Sequence, residues 1–443
     1  MQKSVTVIGG GIAGLSASVF LAKEGFTVSL YEASPKLGGR TYSFYDKQFG
    51  GTIDNGQHIL ASWYSNTFDY LKIIGTYDKL YFQKQLEVNF TNSNAENFTL
   101  RASKLPPPLH LLKGLLSFKV LNASDRYAAI RMINTLKSGK LTEKELIEIN
   151  VDVLFDKTSQ TTRLIDSFWK PFIMAVFNSQ PENTSAFMFA EIIKTGFLEK
   201  GGSNLVLPDV FLSELLVEPA VIYLQNHNCS INTNKKIEKI NINDNILTSL
   251  YTEDKAEIKS DFYISAVEYF NVKKLINGYN ILSEKDGLSP SPIVNIHLKF
   301  DKDITSVIKK RFYGIFNTKI QWVFRVNSDQ VCVVISSAKD IAEMDKNDII
   351  LLCKTELFES FPELKNINIT GERVIKEMRA TFVPDKESLN KRPGNRTKFD
   401  NFYLAGDWTN TGLPATIEGA VKSARSCVNL ILSEEKNLNN IRL

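Results

Sequence analysis

A short β-branched run, Val5-Thr6-Val7-Ile8, passes without a break into Gly9-Gly10-Gly11-Ile12-Ala13-Gly14, and this junction constrains the fold more than any other part of the chain. The run suits a strand buried in a parallel sheet, and the glycines suit a tight turn from that strand into a helix. Gly9 permits the turn, Gly11 lets a pyrophosphate approach the backbone, and Gly14 lets the helix pack close to the strand. The helix runs from Ile12 to about Glu24, with Ile12 and Ala13 at the end whose N–H groups and dipole face the phosphates. Gly25 closes it. Thr27-Val28-Ser29-Leu30-Tyr31 then gives a second strand, ending at Glu32 about 20 residues past the glycines, where an acceptor for a ribose hydroxyl is expected. An acidic residue there disfavours a 2′-phosphate.

The next segment, Ala33-Ser34-Pro35-Lys36-Leu37-Gly38-Gly39-Arg40, resembles the second glycine motif of the amine oxidase and carotenoid desaturase superfamily. That resemblance implies FAD, with Gly38, Gly39 and Arg40 against the phosphates or flavin. Far downstream, Asn401-Phe402-Tyr403-Leu404-Ala405 reads as another buried strand ending at Gly406-Asp407. In the superfamily this pair meets the ribityl and phosphate region. A helix starting near Thr416 is expected to aim its N-terminus at the flavin, with Ile417 donating through its main chain. Between these ends, Gly201-Gly202-Ser203 and the stretch from Ile231 to Ile240 resemble the middle of the FAD domain, where the backbone near Ile237 meets the adenine. Asp261 to Val267 looks like the following strand.

The expected fold is therefore α/β, a discontinuous Rossmann-type FAD-binding domain with an inserted mixed α+β substrate-binding domain, as in amine oxidases and phytoene desaturases. Residues 1–64, 196–274 and 391–443 are assigned to the FAD-binding domain, and 65–195 and 275–390 to the substrate-binding domain. A chain of 443 residues with 43% hydrophobic content can bury more than one core.

Further segments resemble the hydroxysqualene dehydroxylases, also called squalene-associated FAD-dependent desaturases. They are Asp54-Asn55-Gly56-Gln57-His58, Leu105-Pro106-Pro107-Pro108-Leu109-His110, Phe168-Trp169-Lys170-Pro171 with Ala175 and Asn178, and Thr411-Gly412-Leu413-Pro414-Ala415-Thr416-Ile417-Glu418-Gly419-Ala420-Val421. Gln180-Pro181-Glu182 and Ser423-Ala424 depart from the family pattern. The resemblance covers most of the chain. It implies that Asn55 and Gly56 help hold the cofactor and that reduced FAD delivers hydride as the hydroxyl of hydroxysqualene is lost. A carotenoid-type desaturase, with hydride passing to FAD, is the alternative, and a flavin amine oxidase is a more distant one.

Loss of a hydroxyl needs a proton at the leaving oxygen and a dry pocket for any developing allylic cation. The sequence has four histidines, and only His58 lies next to a flavin motif. His58 or Gln57 is the candidate to bind the substrate hydroxyl; equally, both could simply shape the loop around the flavin. Trp169, Phe172 and Phe177, with Trp322, are candidates for an apolar substrate wall, although aromatic spacing of this kind also suits plain core. Phe324, Arg379 and Phe382 are weaker candidates. No metal site is expected.

Composition adds limits. A formal charge of +4 from 53 basic and 49 acidic residues offers no footprint for nucleic acid. Cys229, Cys332, Cys353 and Cys427 show no paired spacing and read as free thiols in a reducing compartment. Cys427 lies beyond the C-terminal flavin motif, so the FAD is expected to be non-covalent. With the first strand beginning almost at the N-terminus, a cytoplasmic location is expected. Leu105 to Leu121 is the segment for which peripheral membrane contact and a buried core helix are rival readings. No second dinucleotide fingerprint is visible, so the expected source of electrons is a separate reductase or a quinone. The expected substrate is a long apolar isoprenoid.

Overall fold

The computed structural model describes residues 2–106, 109–198, 203–276, 279, 282 and 287–441; Pro107-Pro108 and Gly201-Gly202, both singled out in the sequence, lie outside them. Ser4–Ile8 forms the middle of a five-stranded sheet with spatial order Ser230–Asn232, Thr27–Tyr31, Ser4–Ile8, Phe262–Ser265 and Phe402–Leu404. Every pairing in it is parallel. These strands are short and rich in Val, Ile, Leu, Tyr and Phe because both faces are covered, so no alternation of polar and apolar residues is needed.

The helix Ile12–Lys23 covers one face of this sheet, with every residue from Ile12 to Ala22 buried. It packs against the C-terminal helix Ile417–Ile441. A helix enclosed on all sides has no polar stripe, which explains why IAGLSASVFLAK lacks amphipathic spacing.

A second, seven-stranded sheet has the order Ile369–Phe382, Pro290–Phe300, Gln330–Ile335, Trp322–Arg325, Phe312–Phe316, Glu87–Asn92 and Asn97–Arg101. Its pairings are antiparallel except between Phe312–Phe316 and Glu87–Asn92. Helices between Leu109 and Ile193 pack beside it, and their buried Phe155, Trp169, Phe177 and Phe189 share a core with Phe90 and Phe316. Asn178, in left-handed conformation at the end of Lys170–Phe177, fastens these helices to the sheet. Its Nδ2 donates to the Ser291 carbonyl and to Thr381 Oγ1, both at 3.0 Å, while its Oδ1 accepts from the Ser337 N–H at 2.6 Å. No helix among the described residues is long and apolar enough to cross a membrane.

Candidate active site

A cavity of about 980 Å³ lies between the two sheets. Ile8, Tyr31, Ala266 and Gly406, at or just past the carboxyl ends of the parallel strands, line one side; Ile293, Asn295, Phe312, Trp322 and Val334 of the seven-stranded sheet line another. Ligands of parallel α/β sheets bind at that end because the helix N-termini converge there.

The glycine turn is built by close contacts. Gly9 has φ +103°, and its N–H donates to the Tyr31 carbonyl at 2.7 Å. A Cβ on Gly14 would lie 1.8 Å from the Gly9 carbonyl oxygen, so only glycine lets the helix come this near the strand. Gly14 accordingly packs under the turn and is not among the cavity-lining residues. Gly11 is different: a Cβ there would meet nothing nearer than Gly39 Cα at 4.0 Å, so the volume above it is open to a phosphate. Gly11, Ile12, Ala13, Gly38 and Gly39 all border the cavity. Glu32 also borders it, where its carboxylate accepts from the N–H groups of Gly10 at 2.7 Å and Ser34 at 2.8 Å. Ile237 sits on the same wall.

Arg40 joins the two chain ends. One of its terminal nitrogens donates to both carboxylate oxygens of Asp407 at 2.8 Å, and the other to the Ala380 carbonyl. Burial opposes the guanidinium charge, but the Asp407 pair outweighs it and the pKa is raised. The Gly406-Asp407 corner is further held by Arg392, a residue the motifs did not single out. Its buried guanidinium donates to the carbonyls of Asp407, Trp408 and Thr409 and to Thr411 Oγ1, and it stacks over Phe382. Burial lowers its pKa to about 10. A lone arginine before Pro393 carries no local pattern, so only the tertiary structure reveals its part. Thr416 Oγ1 accepts from the Gly419 N–H at 3.0 Å, and Ile417 opens the C-terminal helix beside the cavity with a first-turn N–H that has no intrahelical acceptor.

The segment from Asp54 to His58 follows a two-stranded ribbon, Ser43–Asp46 with Gly51–Asp54. Asn55 Nδ2 donates to the Arg40 carbonyl at 3.2 Å and to Glu377 at 3.3 Å. Asn55, Gly56, Gln57 and His58 all border the cavity. Asp54 lies behind them, accepting from Ser43 Oγ at 2.6 Å, the Leu212 N–H at 3.0 Å and Gln57 Nε2 at 3.3 Å, and its burial raises its pKa to about 6. Burial, assisted by the nearby Arg40 charge, lowers His58 to about 4. The ring is therefore neutral near pH 7 and offers an N–H donor and a nitrogen acceptor, but no imidazolium proton.

Of the expected apolar wall, Phe172, Trp169, Trp322 and Phe324 border the cavity. Trp169 is nevertheless 2% exposed and donates its indole N–H to Gln160 at 2.9 Å. Phe177 corrects the expectation: it is 1% exposed and belongs to the apolar core of the helices, so it does not border the cavity. Arg379 pairs with Glu268. Tyr64 and Asn295 border the cavity and had no sequence signal of their own.

Residues 12–432 match the family described as flavin containing amine oxidoreductase. The chain belongs to that family. FAD is accordingly the cofactor of this flavin-containing oxidoreductase, and the open volume over Gly11 flanked by Glu32, Gly38 and Gly39 fits its dinucleotide part. Cys427 lies off the cavity, buried in the C-terminal helix, with its thiol donating to the Leu404 carbonyl at 3.1 Å. The oxidoreductase is similar to the hydroxysqualene dehydroxylase of Zymomonas mobilis subsp. mobilis, 28% identical over 97% of this chain and 99% of that one. It is also similar to a chloroplastic/chromoplastic 15-cis-phytoene desaturase of Glycine max, 25% identical over 98% and 80%. Among solved structures, an oxidoreductase from Methanosarcina mazei has the same fold, with a TM-score of 0.73 at 16% identity over 96% of this chain and all of that one.

Proposed function

We propose that this oxidoreductase removes the hydroxyl of hydroxysqualene to give squalene. The observation that carries the reading is the composition of the cavity described above. The glycine turn is continuous there with a wall of Leu111, Leu115, Phe168, Phe172, Ile192 and Phe312, and the polar interruption formed by Gln57, His58 and Asn295 suits one oxygen on a long apolar molecule. FAD, when bound and reduced, would supply both a hydride, to the carbon that loses its oxygen, and a proton, so that the oxygen leaves as water. The aromatic faces of Phe168, Phe172 and Trp322 exclude water and favour positive charge developing on the allylic carbon. His58, held neutral, assists the departing oxygen by donating a hydrogen bond from its ring N–H. Similarity to the Zymomonas dehydroxylase over nearly the whole of both chains supports the same reading.

The test is anaerobic. The photoreduced or dithionite-reduced yellow protein is mixed with hydroxysqualene, and flavin absorbance is followed together with product mass. Reoxidation with formation of squalene is expected. Similarity to the phytoene desaturase favours a second reading, in which hydride passes from a polyene precursor to oxidised FAD. Bleaching of the oxidised protein by phytoene, with no response of the reduced protein to hydroxysqualene, would establish that one instead.

A membrane is the proposed source of so apolar a substrate. Leu105, Leu109 and Leu116 are each 48% exposed, while Leu111 and Leu115 of the same Leu109–Ser117 helix border the cavity. Lys104, Lys113 and Lys119 interrupt this surface. The triple change Leu105→Ser, Leu109→Ser and Leu116→Ser is expected to lower cosedimentation with anionic phospholipid vesicles several-fold at unchanged FAD content. Equal cosedimentation would remove the membrane from the scheme.

A further inference from the structure

The wall of the cavity contains a buried amide with one end tied down and the other unused. Asn295 lies on the strand Pro290–Phe300, is 2% exposed, and borders the cavity. Its Nδ2 donates to the Asn55 carbonyl at 3.0 Å. That bond fixes which end of the amide is which, because only the NH2 end can approach a carbonyl oxygen so closely with profit. Its Oδ1 is left as a buried acceptor with no partner among the described residues. Such an atom forfeits its hydration on folding and regains a partner when a ligand or a trapped water donates to it.

The surroundings say what kind of donor is missing. Asn295 stands opposite Val334, and Val334 stands opposite Trp322, so the three side chains share one row across adjacent strands on the cavity face. Trp322 Nε1 is also buried without a partner among the described residues. Two strand spacings, roughly 10 Å, separate the backbones of Asn295 and Trp322. Asn295 is the one beside the Asn55-Gly56-Gln57-His58 segment. A Cβ on Gly56 would lie 3.2 Å from Asn295 Nδ2 and 3.6 Å from Oδ1, so Gly56 packs against the amide and a larger residue would crowd it. No cationic side chain is bonded to Oδ1, and a neutral amide oxygen in an apolar wall selects a neutral O–H over an ammonium ion, whose desolvation it cannot offset.

We propose that Asn295 Oδ1 is the seat of the substrate hydroxyl and that this residue makes the cavity select a long-chain alcohol over the matching hydrocarbon. The proposal rests on the dehydroxylase reading and deepens it. The substrate O–H donates to Oδ1. Its oxygen lone pairs then remain free to accept from the His58 ring N–H, so binding and departure of the oxygen use different groups. Asn295 thus couples the Asn55 loop, which borders the nucleotide end of the cavity, to the position of the reacting carbon.

Oxidised holoenzyme is titrated with hydroxysqualene and with squalene, and perturbation of the flavin spectrum gives each Kd. The wild type is expected to favour the alcohol by about tenfold, the scale of one buried hydrogen bond. Asn295→Leu is expected to erase that preference while leaving FAD content and the squalene Kd unchanged. Trp322→Phe, which removes the other unpartnered atom of the row, is expected to keep the preference. Should Leu at this buried position cost the protein its FAD, Asn295→Ser, which stays polar but falls short of Oδ1, is expected to lower the preference in its place. A preference that survives the Asn295 change, in an enzyme that still turns hydroxysqualene over, overturns the assignment and leaves the dehydroxylase reading standing. A wild type that neither binds nor turns over hydroxysqualene overturns both.

Discussion

Asp54 and His58 sit four residues apart, and burial pushes the proton affinity of each away from its ordinary value. The Asp54 carboxyl is raised from 3.8 to about 6, and the rings of His58 and His297 are lowered from 6.5 to about 4. A carboxyl that holds its proton more tightly when folded stabilises the fold while protonated. That contribution is fully present below about pH 3.8 and is lost as the pH climbs through 6. The histidines act in the opposite sense, destabilising the fold when charged and recovering stability between about pH 4 and 6.5. Asp54→Asn removes one side of this opposition and leaves the histidines in place. The stability of the wild type relative to the variant is expected to fall by about 2 to 3 kcal/mol between pH 4 and pH 7. Urea midpoints at four pH values check this; parallel curves would place the ionised carboxylate in a better solvated site. The Asp-Asn-Gly-Gln-His motif drew attention to these positions from the sequence. It could not show that Asp54 is turned behind the loop toward Ser43 and the Leu212 N–H, because those partners come from elsewhere in the chain.

At the scale of elements, the legible parts were those whose signal is local. The strand Thr27–Tyr31 has the bounds the sequence suggests, and the Ile12 helix ends within a residue of its expected end, since Gly25 and the β-branched runs act on their own neighbours. Glu418 shows the limit. Within the C-terminal motif it looks like an ordinary first-turn acid of its own helix, yet it is 2% exposed and its carboxylate caps a different helix, Ser65–Ile74. It accepts from the N–H and Nδ2 of Asn66 at 3.1 and 2.8 Å and from the N–H and Oγ1 of Thr67 at 2.9 and 2.7 Å. Tyr64, just before that helix, borders the cavity, so the cap also places a piece of cavity wall. Glu418→Ala leaves two first-turn N–H groups without an acceptor, one of them buried, and is expected to cost about 2 to 4 kcal/mol. Chemical denaturation measures it directly. A loss below about 0.5 kcal/mol, as for an ordinary surface acid, would mean that water replaces the carboxylate without penalty.

For the whole molecule, the glycine turn announces a parallel sheet with Ser4–Ile8 at its heart, whereas the seven-stranded sheet had no comparable signature. Its longest strands, Pro290–Phe300 and Ile369–Phe382, lie nearly seventy residues apart in sequence, a pairing that periodicity within either strand cannot announce. Asn295 was invisible for that reason: it is one asparagine in an apolar strand until the Asn55 loop is folded against it. The same architecture predicts how the cofactor governs stability. The cavity draws its walls from both sheets and from both chain ends, with Arg40 and Asp407 joined across it, so a dinucleotide seated there touches segments that otherwise meet over a hollow. A ligand that binds only the folded state stabilises it by about 2.7 kcal/mol at a free concentration of 100 times its Kd. Stripping FAD is therefore expected to lower the melting temperature by several degrees, and readdition to restore it in proportion to the logarithm of free FAD. Because both sheets share the ligand, fluorescence of the four tryptophans, Trp63, Trp169, Trp322 in one sheet and Trp408 beside the other, should report one coincident transition in the holoprotein. Two separated transitions that persist at saturating FAD would show that the cofactor binds one sheet alone and that the cavity wall opposite is assembled without it.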